Sequence, residues 1–153
     1  PVGYQWFDLS NDDPNYILNE SLKAEIKLFR FLEEVKKEYN FDNNQIVLSG
    51  FSQGCMISYT LSINYPKKYK KVIGLSGKIP YEILKYDEKE DYTDHNFFCS
   101  HGIYDQVIPI EIGRESDKWL SKNKISHKYL EFDSAHEINA ENFEQMTYWL
   151  NNN

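Results

Sequence analysis

The stretch Ile46-Val47-Leu48-Ser49-Gly50-Phe51-Ser52-Gln53-Gly54-Cys55-Met56 constrains this chain most, because it sets a serine between two glycines where a strand gives way to a helix. Ile46 to Leu48 are β-branched and apolar and follow the turn-prone Asp42-Asn43-Asn44, which predicts a short buried strand. Met56, Ile57, Tyr59, Leu61 and Ile63 then suit a helix packed on most sides. A Gly-x-Ser-x-Gly pentapeptide between such elements forms a nucleophile elbow. At that turn the serine is expected in a sparsely populated backbone region, and Gly50 and Gly54 lack the Cβ atoms that are expected to collide where strand and helix meet. The hydroxyl is then presented above the sheet, and the backbone N–H of Gln53 points to where an oxyanion would form. A Gly/Ser-rich turn without chemistry fits the pentapeptide alone equally well.

The residues downstream decide between the two. Phe97-Phe98-Cys99-Ser100-His101 reads as a buried strand running into Gly102-Ile103-Tyr104-Asp105, and Lys128 to Phe132 as another running into Asp133-Ser134-Ala135-His136. Each sets a candidate acid or base just past the carboxyl end of a strand, the edge on which open α/β sheets build their sites. The order Ser52, Asp105, His136 is the α/β-hydrolase order, distinct from those of chymotrypsin and subtilisin. Asp94 precedes its strand and so falls on the opposite edge, while Asp133 shares a loop with His136 and is the runner-up acid. His95 and His127 also lie at strand starts. His101 directly follows its strand and fits a structural role beside Gly102.

The blocks Gly50-Phe51-Ser52-Gln53-Gly54, Leu75-Ser76-Gly77, His101-Gly102-Ile103-Tyr104-Asp105-Gln106-Val107-Ile108-Pro109 and Phe132-Asp133-Ser134-Ala135-His136-Glu137-Ile138 resemble the phospholipase/carboxylesterase family, which includes the acyl-protein thioesterases. Tyr4-Gln5-Trp6-Phe7-Asp8-Leu9 is similar to a substrate-side loop of that family. The resemblance implies an α/β-hydrolase-type domain over residues 1–153, with a mostly parallel central sheet and helices on both faces. It implies a serine hydrolase acting on a small acyl ester, thioester or lysophospholipid. Members of the family carry an earlier segment with further strands and a His-Gly-x-Gly-type loop that supplies a second oxyanion N–H. No such segment precedes Ser52, so the N-terminal strands are expected to be missing from this chain and the fragment alone to be weakly active or inactive. The strand at Ile46 then becomes an edge prone to pairing or swapping, which admits a homodimer.

At 153 residues, 41% apolar and 16% aromatic, the chain can build one sizeable core. Its net charge of −7 argues against a nucleic-acid surface, which needs a basic stripe. No run approaches the length of a membrane span. Cys55 and Cys99 fall in core elements and are expected to be free buried thiols of a cytoplasmic protein. The histidines lack the spacing of a zinc site, so neither metal nor cofactor is expected.

Along the rest of the chain, residues 1–15 read as a loop in which Trp6 and Phe7 are candidates either for an acyl pocket or for sealing the core. A helix is expected from Asn19 or Ser21 to Tyr39, with Leu22, Ile26, Phe29, Leu32 and Val35 on its apolar stripe. Lys67 to Lys71 read as an exposed basic turn and Val72 to Leu75 as a buried strand. Lys78 to His95 read as a polar surface excursion near the site mouth. Ile110 to Lys122 form a helix with Ile112, Trp119 and Leu120 inward. The last helix, from Asn139 or Ala140 to Leu150, carries Phe143, Met146, Trp149 and Leu150. Strands alternating with helices imply parallel strands joined by right-handed crossovers.

The expected chemistry is acyl transfer through a serine ester, with Ser52 as nucleophile, His136 as base, Asp105 as the acid that orients it and the Gln53 N–H as oxyanion donor. The alternatives are a non-catalytic hydrolase-fold binding module, a peptidase, or a dienelactone-hydrolase-like enzyme, the last of which would carry cysteine at position 52.

Overall fold

The computed structural model describes residues 5–8, 10–11 and 13–153. Pro1, Tyr4 and Leu9 of the amino-terminal segment and Asp12 of its turn-forming run lie outside the described residues. In chain order the elements are α1 (Pro14–Tyr39), β1 (Val47–Phe51), α2 (Gln53–Asn64), β2 (Lys71–Leu75), β3 (Asn96–Gly102), α3 (Ile110–Lys122), β4 (Ser126–Phe132) and α4 (Ala140–Asn152).

The four strands form one parallel sheet in the order β1-β2-β3-β4, each joined to the next by a helical or irregular crossover. Alternation along the strands divides the core in two. Leu48, Val72, Phe97 and Cys99 face a layer built from α1, α2 and α3, where Ile57, Leu61, Ile63 and Leu120 are sealed from solvent. Ile73, Leu75 and Phe98 face the other way, onto Trp149 and Met146 of α4. Helices therefore cover both faces, and parallel strands buried on both sides account for the continuous apolar runs in the sequence.

α1 begins five residues or more before the expected start. Asp13 is its N-cap, its side chain accepting from the Asn15 N–H at 2.9 Å, and Pro14 takes the first helical position, where a missing N–H costs nothing. The same Asp-Pro-Asn run that reads as a turn is thus a helix start. The buried face of α1 is also rotated from the expected stripe. Ser21, Ala24 and Glu25 are buried while Ile26 is half exposed. Glu25 is tolerated inside because its carboxylate accepts from Asn64 Nδ2 at 3.0 Å and has Lys85 Nζ at 3.8 Å.

Residues 78–95 are no mere surface excursion. Ile79, Ile83, Tyr92 and His95 within it are buried, and Tyr92 stacks on Tyr86, which meets Trp119 of α3 edge-on. The basic turn is also less bare than its composition suggests. Lys67, Lys68 and Lys70 pair with Glu90, Glu33 and Asp94. In α3, Leu120 is buried as expected, but so are Ile110, Gly113 and Ser116. In α4 only Trp149 of the expected stripe is fully buried, Met146 packs beside it, and Phe143 and Leu150 are exposed. Cys55 and Cys99 are free and buried, and desolvation pushes the Cys99 thiol up to about 12. No described helix is long and apolar enough to cross a membrane.

Candidate active site

The carboxyl ends of β1, β3 and β4 meet at one rim, and main-chain hydrogen bonds continue past the strand ends to brace it. The Ser52 N–H donates to Leu75 O, the Ser76 N–H to Ser100 O, the Ile103 N–H to Phe132 O and the Tyr104 N–H to Ser134 O, all between 2.8 and 3.0 Å. The loops bearing Ser52, Asp105 and His136 are therefore extensions of the sheet ladder.

Ser52 occupies the turn from β1 into α2 at φ 55° and ψ −116°, a conformation that an L-residue adopts only under constraint. It stands at the N-cap of α2, where serine ordinarily turns its hydroxyl back onto the helix amides, yet this hydroxyl makes no capping bond. The turn is tight because β1 and α2 nearly touch. A Cβ on Gly50 would stand 2.1 Å from the carbonyl carbon and oxygen of Gly54, so no other residue fits there. The crowding does not extend to Gly54 as the sequence suggested. A Cβ on that residue would meet only Trp6 Nε1, at an ordinary 3.5 Å.

Gln53 is the first residue of α2, so its N–H is one of the amides that no helix carbonyl can reach. Its side chain does something the sequence did not announce. Gln53 Oε1 accepts from the Trp6 N–H at 3.0 Å, and Gln53 Nε2 donates to Phe7 O at 3.1 Å. Both ends of the amide thus hold Trp6 and Phe7 against the elbow. Phe7 is buried in the main core cluster, whereas Trp6 is exposed and lies over Gly54. A glutamine with two distant main-chain partners gives no local pattern from which this could be read.

Asp105 and His136 are brought together. His136 Nδ1 donates to Asp105 Oδ2 at 2.7 Å, and since a carboxylate can only accept, Nδ1 carries the proton and Nε2 is the imidazole's acceptor nitrogen. Asp105 Oδ1 accepts from the Val107 and Ile108 N–H groups, each at 2.8 Å. Burial alone would raise the Asp105 pKa, but the His136 bond and the two amides outweigh it and hold the carboxyl below its ordinary value. The acid is sealed from solvent while the His136 side chain remains 18% exposed, which leaves its far side open to a reactant. The His136 ring lies against Phe51, the residue immediately before Ser52, with centroids 4.7 Å apart.

The other candidates lie elsewhere. Asp133 is exposed, and His136 Nδ1 pairs with Asp105 instead. His127, the second residue of β4, lies at the opposite edge and pairs with Asp117 at 2.9 Å, and Asp94 sits at that edge with Lys70. His95 is buried just ahead of β3. His101 is at the rim, beside Asp105, as described below.

An apolar groove lies against the elbow. Ile17 and Leu18 of α1, Met56 of α2, and Pro80 and Ile83 line it together with Lys78. The Met56 N–H donates to Ser52 O at 3.2 Å, so the groove wall is one helical turn from the serine. Trp6 and Phe7 do not line it. The residues that do are spread over three segments, and the register that joins them is set only by the fold.

A parallel sheet with a tight Gly-x-Ser-x-Gly turn between strand and helix at one rim, and a histidine–carboxylate pair beside it, defines an α/β-hydrolase-type protein. Comparison with known proteins narrows the class: the sequence matches the phospholipase/carboxylesterase family over residues 1–153, and the chain belongs to that family. The acyl-protein thioesterase 1 of Yarrowia lipolytica is 29% identical over 72% of this chain and 50% of its own length. That of Saccharomyces cerevisiae is 32% identical over 71% of this chain and 49% of its own, and that of Kluyveromyces lactis 25% over 98% and 68%. The chain thus spans about half to two thirds of the length of these relatives. Among solved structures, esterase PE8 superposes with a TM-score of 0.83 at 25% identity, covering 98% of this chain and 70% of that one. The Bacillus cereus carboxylesterase, at 20% identity and a TM-score of 0.82, covers 95% and 67% and shares the fold.

Proposed function

We propose that this chain carries the catalytic centre of a serine hydrolase that cleaves carboxylic ester or thioester bonds through an acyl-serine intermediate. The observation that supports it most is the 2.7 Å bond from His136 Nδ1 to a buried Asp105, on a ring packed against the residue preceding Ser52. In that arrangement Asp105 fixes the imidazole tautomer, and His136 Nε2 takes the proton as Ser52 Oγ attacks the acyl carbonyl. The tetrahedral oxyanion forms at the amino end of α2, where the free Gln53 N–H and the helix dipole favour negative charge. His136 then returns the proton to the leaving alcohol or thiol, and a water activated by the same nitrogen releases the acid. Asp105 stays ionised throughout and stabilises the transient imidazolium.

The apolar groove beside Met56 suits the hydrocarbon part of an acyl group, and relatives named acyl-protein thioesterases fit that reading. The decisive experiment is labelling of the protein at its native length with a fluorophosphonate, alongside turnover of p-nitrophenyl acetate. Labelling at Ser52 that disappears in Ser52→Ala supports the hydrolase. Absence of both labelling and turnover in the wild type would leave a non-catalytic binding module.

A further inference from the structure

His101 is the penultimate residue of β3, at the rim, with its side chain almost completely buried, and the chemistry above makes no use of it. Its Nε2 lies 2.7 Å from Ile108 O and 3.4 Å from Asp105 Oδ2. Both neighbours are acceptors, so Nε2 carries the hydrogen and the tautomer is fixed. The segment it touches is the one that aims the acid. Asp105 Oδ1 holds the Val107 and Ile108 amides from one side, and His101 holds the Ile108 carbonyl from the other. The same N–H leans on the oxygen that His136 uses.

The opposite side of the ring is held as closely. A Cβ on Gly113 of α3 would stand 2.6 Å from His101 Nδ1 and 2.9 Å from the Tyr129 hydroxyl, so helix, imidazole and phenol meet at that point. Across the parallel register His101 stands opposite Glu131, whose carboxylate is gripped by both Nε and Nη2 of Arg114 at 2.7 and 2.8 Å. The imidazole is thus boxed by α3, β4 and the 105–108 turn, with its one donor aimed at the turn.

We infer that His101 is a positioning residue for the proposed hydrolysis: its Nε2–H locks the 105–108 turn and so sets the direction in which Asp105 presents Oδ2 to His136. This rests on the serine-hydrolase reading. His101 touches no substrate, and its effect passes through Asp105 alone.

The test compares three replacements in the protein at its native length, with p-nitrophenyl acetate turnover and fluorophosphonate labelling rate as readouts. Gln carries an N–H at the place of the histidine Nε2, whereas Asn and Leu do not reach Ile108 O. His101→Leu and His101→Asn are expected to lower kcat at least about tenfold with KM changed less than about twofold. His101→Gln is expected to recover to within about threefold of wild type. In an Asp105→Asn background, His101→Asn is expected to cost less than about twofold further, because the residue it acts through is already disabled. If His101→Leu fails to fold, the Asn and Gln pair carries the comparison alone. Equal losses in Gln and Asn, or a penalty undiminished beside Asp105→Asn, would overturn the inference. A wild type that neither labels nor turns over defeats the hydrolase reading instead, and an active wild type with an undiminished His101→Asn defeats this one only.

Discussion

Gly102 lies so close beneath Ala135 that a Cβ added to it would stand 2.2 Å from the Ala135 carbonyl oxygen. That contact joins the loop bearing Asp105 to the loop bearing His136, and it sets the spacing across which their 2.7 Å hydrogen bond forms. Gly102→Ala must push the two loops apart, because the atom in the way is backbone. Overpacking of this kind costs about 2 kcal/mol of stability. A displacement near an ångström at the acid–base pair is expected to lower kcat/KM about a hundredfold. Thermal denaturation and p-nitrophenyl acetate kinetics on the purified variant check both parts, and wild-type kinetics in a folded variant would contradict the role given to this contact.

The backbone at Ser52 predicts that activity and stability part company there. With φ at 55°, any residue bearing a Cβ is strained, and strain of this type costs about 1–3 kcal/mol. Ser52→Gly relieves it at an entropic cost in the unfolded chain of somewhat under about 1 kcal/mol. The glycine variant is therefore expected to be more stable than Ser52→Ala by about 1 kcal/mol, with both inactive. Urea denaturation of the two variants side by side measures the difference.

Acid should unfold this protein through identifiable groups. Asp105, Glu131 and Glu33 are all held below their ordinary values of 3.8, 4.5 and 4.5, Asp105 against the effect of its burial, Glu131 chiefly by Arg114 and Glu33 chiefly by Lys68. A depressed folded value means that each contribution is complete above the unfolded value and disappears as pH falls through the folded one. Stability is thus expected to hold near neutrality and to decline below about pH 4.5, with more than one proton taken up on unfolding. Arg114→Gln frees Glu131 to titrate normally and should flatten that decline. Denaturant midpoints from pH 7 to pH 3 report the slope.

The groove offers a test of acyl recognition. Leu18→Trp fills it from α1 without touching Ser52, Asp105 or His136. Turnover of p-nitrophenyl octanoate is expected to fall about tenfold in kcat/KM, while p-nitrophenyl acetate stays within about twofold. Equal losses on both esters would place the acyl chain elsewhere.

The strands, their parallel order and the loops bearing Ser52, Asp105 and His136 could be read from the chain because each rests on a local pattern. Short β-branched or aromatic runs ending in Gly, Asp or Ser at regular spacing leave few other arrangements, and Gly-x-Ser-x-Gly names its own turn. What escaped reading depends on contacts far apart in sequence. Asp13-Pro14-Asn15 has the chemistry of both a turn and a helix start, and the packing of α1 on α2 decides between them. The rotation of α1 that buries Glu25 and exposes Ile26 follows from Asn64 and Lys85, about forty and sixty residues on. Residues 78–95 read as polar because charged positions outnumber the apolar ones, yet Ile79, Ile83 and Tyr92 are enough to pin the segment to the core. The hydrogen-bond partners of Gln53, and the nearer one of His101, are backbone atoms, and a sequence says nothing about which main-chain group a side chain will meet.

The glutamine amide that spans Trp6 and Phe7 ties those two residues to the first residue of α2. A ligand that lifts the exposed Trp6 indole pulls on the residue whose own amide heads the helix. With Trp119 and Trp149 replaced by Phe, fluorescence from that ring is a gauge of order at the elbow, readable without a substrate and without perturbing the serine itself.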